Sequence, residues 1–223
     1  MHSHRLPRKA LIQLQGLSVL SHVLRALKQI PVAVRALLTD DRSVEALAPI
    51  AGEEGFSVFV GPEEDVLARY ARAVGHYGVR RIIRATGDNP LVSARAAQTL
   101  LGIHQRENYA LSHFLNNPLG TGVEVVEAWA LLEAAERAQD PHEREHITTF
   151  LYRHADSYRV GEIPCPDDWA FPEARVTLDT EADYALLKEL FAELYDGRPI
   201  EIDDVVDWLK RNTLSRIAPT GQE

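Results

Sequence analysis

Residues 80–90 read Arg-Arg-Ile-Ile-Arg-Ala-Thr-Gly-Asp-Asn-Pro, a strand pattern that runs directly into a turn carrying a carboxylate. Strands of the same kind are predicted at 32–39 and 56–60, and amphipathic helices separate them. Repeated strand–helix units joined by short turns predict an α/β fold with a mostly parallel sheet and helices on both faces. Ligands of such folds bind at the carboxyl ends of the strands, so Asp88 is a candidate functional residue.

The role of Asp88 stays open at this point. Asp-Asn-Pro is good turn chemistry and would explain the residue without a ligand, whereas Gly87 would let a ligand approach the backbone closely. A further strand is predicted at 174–179, and it ends at Asp179, ahead of a predicted helix cap. Two aspartates at strand ends of one sheet could together bind Mg²⁺, which prefers one or two carboxylates plus phosphate oxygens.

A basic segment at residues 3–9 reads Ser-His-Arg-Leu-Pro-Arg-Lys. Arg5 offers a planar fork of donors and Lys9 a mobile point charge, a pair that suits a triphosphate. A solvated basic N-terminus is the alternative interpretation of the same residues.

Composition narrows the class of protein. The 223 residues include 45% hydrophobic and 26% charged residues, which is typical of a globular protein. The formal net charge of −9 argues against general nucleic-acid binding, which needs a basic field. Cys165 stands alone, which excludes an internal disulfide and a cysteine-based metal cluster. Without an apolar run of bilayer length or an apolar signal core, we expect no membrane insertion and a cytoplasmic location.

The pattern changes after about residue 107, although no linker or repeat divides the chain and one domain is predicted. Strands are predicted at 109–112, 122–126 and 158–163, with helices at 127–138, 141–154 and 202–209. Residues 142–146, His-Glu-Arg-Glu-His, match a zinc-protease motif by spacing. They follow Asp-Pro, a helix start, and no obvious third ligand follows, so we favour a helix N-terminus that faces a substrate.

Taken in order, the segments resemble the sugar cytidylyltransferases, in particular the acylneuraminate cytidylyltransferases and the spore coat polysaccharide biosynthesis protein F branch. The resemblance runs from Ser3 to about Leu209. Besides 3–9, it is carried by 61–67 (Gly-Pro-Glu-Glu-Asp-Val-Leu), 84–91 (Arg-Ala-Thr-Gly-Asp-Asn-Pro-Leu), 122–125 (Gly-Val-Glu-Val), 143–148 (Glu-Arg-Glu-His-Ile-Thr) and 176–180 (Val-Thr-Leu-Asp-Thr).

The resemblance implies a Rossmann-like nucleotidyltransferase (GT-A-like) fold and the transfer of CMP from CTP to a sugar, with release of pyrophosphate. The sugar would be an acidic, nonulosonic-type sugar used for surface polysaccharide or glycan synthesis. A glycosyltransferase on the same fold is less favoured because no Asp-x-Asp motif follows a central strand. The resemblance also implies that 107–172 forms the sugar-side and dimerisation region of a homodimer.

Site residues follow from the resemblance position by position. Asp88 and Asp179 would bind Mg²⁺, and Arg5 and Lys9 would bind the triphosphate. The remaining candidates line the nucleotide pocket (Ser3, Arg84, Thr86 and Gly87) or the sugar side (Glu124, Arg144, Glu145 and His146).

One departure from the family concerns the first strand, which should precede Ser3 where only Met1 and His2 stand. We therefore expect the described fold to lack that strand, either because the start is truncated or because the base pocket is altered. The alternative to an active enzyme is a family member that acts as a binding or partner subunit.

Overall fold

The computed structural model describes residues 9–217, with side chains described as far as residue 212. Strands in this part of the chain are β1 (Gln13–Leu14), β2 (Leu17–Ser18), β3 (Ala36–Thr39), β4 (Ser57–Val60), β5 (Arg81–Arg84), β6 (Leu111–Leu115), β7 (Glu124–Glu127) and β8 (Val160–Pro164). Helices are α1 (Val19–Leu27), α2 (Val44–Glu53), α3 (Val66–Tyr77), α4 (Ala94–Glu107), α5 (Ala128–Arg137), α6 (Pro141–Glu145), α7 (Thr149–Arg153), α8 (Glu181–Leu194) and α9 (Ile202–Ile217).

The strands form three sheets. β5, β7, β6 and β8 make a four-stranded sheet in that order, in which β6 and β8 are parallel and the other neighbours are antiparallel. This sheet is mixed, as predicted, but it is not mostly parallel. β3 and β4 form a parallel pair, and β1 and β2 form a short hairpin. Among the described residues no ladder joins β3 to β5. The expected lack of a first strand concerns chain before Lys9, outside the described residues.

Helices cover both faces of the four-stranded sheet. On one face, Ile82, Leu111 and Val126 pack in a core with side chains of α3, α5 and α7. On the other face, Ile83 and Val125 pack in a core with side chains of α1, α4 and α9. A third core joins α8 and α9 to the hairpin and to the segment before Asp179. Neighbouring residues of a strand point to opposite faces of the sheet, so Ile82 and Ile83 enter different cores. Helices cover both faces, as predicted.

Local sequence signals define several helix limits. Asp65 caps α3 by accepting a hydrogen bond from the Ala68 amide, and Gly78 ends this helix in the left-handed region. The predicted cap of α8 is present as a capping box between Thr180 and Asp183.

Two predictions about the second half of the chain are wrong. The helix predicted at 141–154 is two short helices, α6 and α7, because His146 leaves the helical region at φ −106° and ψ 88°. The strand predicted at 174–179 is an irregular segment that pairs through one bridge, between Leu119 and Arg175. Its position is fixed by Gly120, with φ +108°, where an added Cβ would lie 3.0 Å from the Thr177 nitrogen and the Val176 carbonyl carbon.

No helix within residues 9–217 combines the length and the apolar character needed to cross a bilayer.

A buried histidine lies against the sheet face covered by α4. The His104 ring is fully buried, with Nδ1 2.8 Å from Ser112 Oγ and Nε2 3.2 Å from Glu127 Oε1. Glu127 in turn pairs with Arg81. Burial lowers the pKa of His104 below the ordinary value of 6.5, although the hydrogen bond with Glu127 opposes this. Burial also lowers the pKa of His22, which bonds the Leu14 carbonyl.

The lowered pKa values of His22 and His104 predict that the protein loses stability in mild acid. The unfolded chain takes up protons below about pH 6.5 while the folded chain resists them, so the free energy of unfolding falls as the pH drops from 6.5 towards the folded pKa. The loss is at most about 1.4 kcal/mol per pH unit for each histidine. Urea unfolding at pH 7.5 and pH 5.5 measures it. His104→Gln should reduce the loss, and His76→Gln, at an exposed position, should not; equal slopes in all three proteins would contradict this assignment.

Candidate active site

Asp88 and Asp179 lie together, as the sequence predicted. The Lys9 ammonium contacts Asp179 Oδ1 and lies 3.8 Å from Asp88 Oδ2. Asp88 belongs to the turn that follows β5, and Asp179 ends the irregular segment that precedes α8. The Lys9 side chain is only 15% exposed, whereas the two aspartate side chains remain about 40% exposed. Two carboxylates thus face solvent at one place, with a single ammonium between them.

Asp179 has further partners. Its Oδ2 accepts from Thr177 Oγ1 at 3.1 Å and contacts the Arg175 guanidinium, and its backbone amide donates to Asp183. The hydrogen bond with Lys9 is the largest cause that keeps the pKa of Asp179 below its ordinary value, and Thr177 and Arg175 act in the same direction. Asp179 is therefore held as a carboxylate at neutral pH.

A cavity of about 670 Å³, here called the first cavity, opens beside this cluster. Lys9, Thr86, Gly87 and Asp88 line one side, and the start of α2 with Arg42 and Ser43 lines another. A Cβ at Gly87 would meet the buried Leu20 side chain at 3.4 Å. The volume lies within the range of small-molecule and cofactor sites.

A smaller cavity of about 320 Å³, the second cavity, has Arg84 of strand β5 in its lining. Its lining residues are Arg84, His142, His146, Ile147, Thr148 and Thr149. Arg84 ends β5, and Thr86 begins the lining of the first cavity two residues later. The two cavities are therefore neighbours along one stretch of chain.

A partly buried ion pair supports the wall of the second cavity. Arg84 Nη1 donates to Glu124 Oε2 at 2.8 Å, across the β5–β7 pair in which these residues are in register. Burial favours the neutral form of Arg84, but Glu124 and Tyr70 outweigh it and raise its pKa. Removing either partner of such a pair would leave a charge that is costly to bury.

The structure does not bring all the predicted site residues together. Ser3 and Arg5 lie outside the described residues. Arg84, predicted for the nucleotide pocket, lines the second cavity with His146. Arg144 bonds Asp65 at 2.7 Å and the carbonyls of Ala135 and Ala138, so its guanidinium links α6 to α3 and is not part of either lining.

The zinc-protease motif does not form a metal site. Glu143 is buried and pairs with Arg153 at 2.9 Å, and Glu145 is exposed outside both cavity linings. Nowhere in the described part of the chain do three or more His, Cys, Asp or Glu side chains converge to hold a metal. A divalent ion at Asp88 and Asp179 would take two carboxylates from these residues, and the rest of its shell from ligand and water oxygens, as Mg²⁺ usually does.

Sequence reasoning missed residues that line the second cavity and residues that contact Asp179. His142 and Thr148 line the second cavity, and Arg175 and Thr177 contact Asp179. Thr148 and Thr177 fell inside segments that already marked the family resemblance, which was the only signal for them. Arg175 lies four residues before Asp179, a spacing that carries no signal outside a helix.

Comparisons with known proteins agree with this fold and site. The cytidylyltransferase family pattern matches residues 1–204. The spore coat polysaccharide biosynthesis protein SpsF of Bacillus subtilis (strain 168) is 31% identical over 219 residues, covering 95% of this chain and 91% of the relative.

Two solved structures share the fold. A cytidylyltransferase from Leptospira borgpetersenii serovar Hardjo-bovis (strain JB197) has a TM-score of 0.87 at 23% identity, covering 99% of this chain and 94% of that one. A CMP:2-keto-3-deoxy-manno-octonic acid synthetase complexed with CTP has a TM-score of 0.64 at 17% identity, covering 86% and 95%.

The α/β sheet, covered on both faces and with cavities at one strand end, is the Rossmann-like fold of the nucleotidyltransferases, as predicted. The chain belongs to the cytidylyltransferase family. This membership confirms both the predicted family and the predicted enzyme class, a nucleotidyltransferase.

Proposed function

We propose that this enzyme transfers CMP from CTP to an acidic sugar, releasing pyrophosphate, for the synthesis of a surface polysaccharide. The observation that carries the proposal is that Lys9 joins Asp88 and Asp179 beside the first cavity, while Arg84, two residues before the lining residue Thr86, lines a second cavity. A transferase needs two adjoining sites, because donor and acceptor must meet in near-attack geometry.

In this proposal the first cavity binds CTP. Lys9 supplies a mobile positive charge for the phosphates, which a protein with a net charge of −9 must provide locally. Arg5 and Ser3 are proposed to add contacts to the same phosphates. Thr86 and Gly87 line the cavity where a nucleotide can approach the backbone closely.

Asp88 and Asp179 are proposed to hold Mg²⁺. The fit rests on their donor set: two hard carboxylate oxygens, both partly exposed, converge on one positive group. When bound, the ion supplies charge stabilisation for the phosphate oxygens during transfer. Lys9 lies between the same oxygens, so it can move to the phosphates only when other positive charge takes its place.

The second cavity is proposed to bind the acceptor sugar. Arg84, His142 and His146 can meet an acid group, and Thr148 and Thr149 offer hydroxyls to a polyol. The named activities of two relatives support this choice, since one serves polysaccharide synthesis and the other handles a sugar acid. Residues 107–172 provide most of this cavity, and we propose that the same region carries the contact of a homodimer.

The decisive assay combines the protein with CTP, Mg²⁺ and a panel of nonulosonic and related sugar acids, with pyrophosphate release as readout. Turnover with at least one acidic sugar and none with neutral sugars is the expected result. CTP binding without turnover of any sugar would instead favour the binding or partner subunit. Replacing CTP by UTP or ATP controls for the nucleotide.

Asp88→Ala should reduce pyrophosphate release at least about a hundred-fold, because it removes one of two carboxylates proposed to hold the ion. The free energy of unfolding should stay near that of the parent, since the side chain is 39% exposed. Asp41→Ala, at an exposed position outside both cavities, is the matched control. Parent-like turnover in Asp88→Ala would remove this residue from the mechanism.

Lys9→Ala should weaken CTP binding roughly ten- to a hundred-fold at low salt, the usual range for a charge-assisted contact. The difference from the parent should shrink as ionic strength rises, because salt screens a partly exposed charge. Calorimetric titration with CTP at two salt concentrations measures both effects. Lys28→Ala, an exposed lysine outside the cavities, should bind CTP normally; equal affinity in the Lys9 variant would count against its role.

A further inference from the structure

A row of polar residues crosses one face of the four-stranded sheet. Arg84, Glu124, His113 and Glu162 are direct cross-strand partners on β5, β7, β6 and β8. Two residues earlier on β5, the same face is apolar and packs against α3, α5 and α7. We call these four residues the polar row. Glu162 is exposed, whereas Arg84, Glu124 and His113 are partly buried, where polar and charged groups are costly unless each one has a partner.

Glu124 is the centre of this row. Its Oε2 accepts from Arg84 Nη1 at 2.8 Å, and its Oε1 accepts from Thr148 Oγ1 at 2.9 Å and from Tyr152 Oη at 3.0 Å. Arg84 and Thr148 both line the second cavity, whereas Glu124 and Tyr152 lie behind the lining. The direction in which the two lining groups point is therefore set by a carboxylate that does not itself face the cavity.

The hydrogen-bond partners of Tyr152 determine where the proton of His113 lies. Tyr152 Oη lies 3.0 Å from Glu124 Oε1 and 2.8 Å from His113 Nδ1. Burial, with the nearby Glu124 charge, raises the pKa of Tyr152, so the phenol keeps its single proton. A carboxylate has no proton to give, so Tyr152 donates to Glu124 and must accept from His113. Neutral His113 is then the Nδ1–H tautomer, with Nε2 as an acceptor.

We propose that Tyr152 and His113 are positioning residues of the second cavity, acting through Glu124 on Arg84 and Thr148. Because Thr148 gives its proton to Glu124, its oxygen offers the cavity only lone pairs, while Arg84 offers only donors. The wall thus presents a fixed acceptor beside a fixed donor, which suits a polyhydroxylated ligand with a hydroxyl next to an oxygen acceptor. Only the link to the acceptor sugar rests on the proposed function; the proton arrangement does not.

The proton arrangement is tested by ¹⁵N NMR of histidine-labelled protein, with the His113 signals assigned by their loss in His113→Gln. At pH 8 the parent should show a protonated Nδ1 and an unprotonated Nε2. Tyr152→Phe should change this tautomer pattern, and Tyr158→Phe should not, because the Tyr158 hydroxyl lies near Arg137, away from the row. An Nε2–H form of His113 in the parent would overturn the proposal.

The positioning role is tested with the sugar that turns over best in the panel assay. Tyr152→Phe should raise the KM for this sugar roughly ten-fold, because Glu124 loses one donor, and leave the KM for CTP unchanged. Thr148→Val should raise the sugar KM similarly while the His113 tautomer stays as in the parent. A parent-like sugar KM in Tyr152→Phe, or an equal rise for both substrates, would overturn the proposal. If no sugar turns over, the proposed function fails, and the NMR result still decides the proton arrangement.

Discussion

One ammonium group joins three parts of the chain that come together only in the folded protein. Lys9 lies next to Asp88, on the turn after β5, and next to Asp179, 170 residues further along the chain. Without this positive charge, two partly exposed carboxylates at close range would repel each other. Lys9 therefore supplies the positive charge that offsets this repulsion. The first cavity depends on this cluster, since Lys9 and Asp88 form part of its lining.

The sequence predicted that Asp88 and Asp179 would lie together because each was expected at the end of a strand, and this reason is correct only for Asp88. Asp88 follows strand β5, as the strand pattern of residues 80–90 indicated, and its position could be inferred from the fold class. Asp179 does not end a strand; a single bridge from Arg175 to Leu119 places it. Alternating apolar residues at Val176 and Leu178 look like a strand because both are buried, but their pattern cannot tell a paired strand from an irregular buried segment.

Residues of the second cavity were harder to predict because long-range register decides them. Arg84 and Glu124 are 40 residues apart, and a shift of one residue in the β5–β7 pairing would place them on opposite faces. Arg144 stood in a segment typical of the family, yet the structure uses it to join two helices. Hydrophobic periodicity did not indicate the break between α6 and α7. After this break, Thr148 and Tyr152 both donate hydrogen bonds to the Glu124 carboxylate.

Gly120 packs closely against the chain segment that leads to Asp179, one of the two candidate metal-binding aspartates. A Cβ at this position would lie 3.0 Å from main-chain atoms of Val176 and Thr177 and 3.1 Å from Thr177 Cγ2, two to three residues before Asp179. Any larger residue at position 120 would press on the main chain that leads to Asp179, so the place of this aspartate depends on the absence of a side chain far away in the sequence.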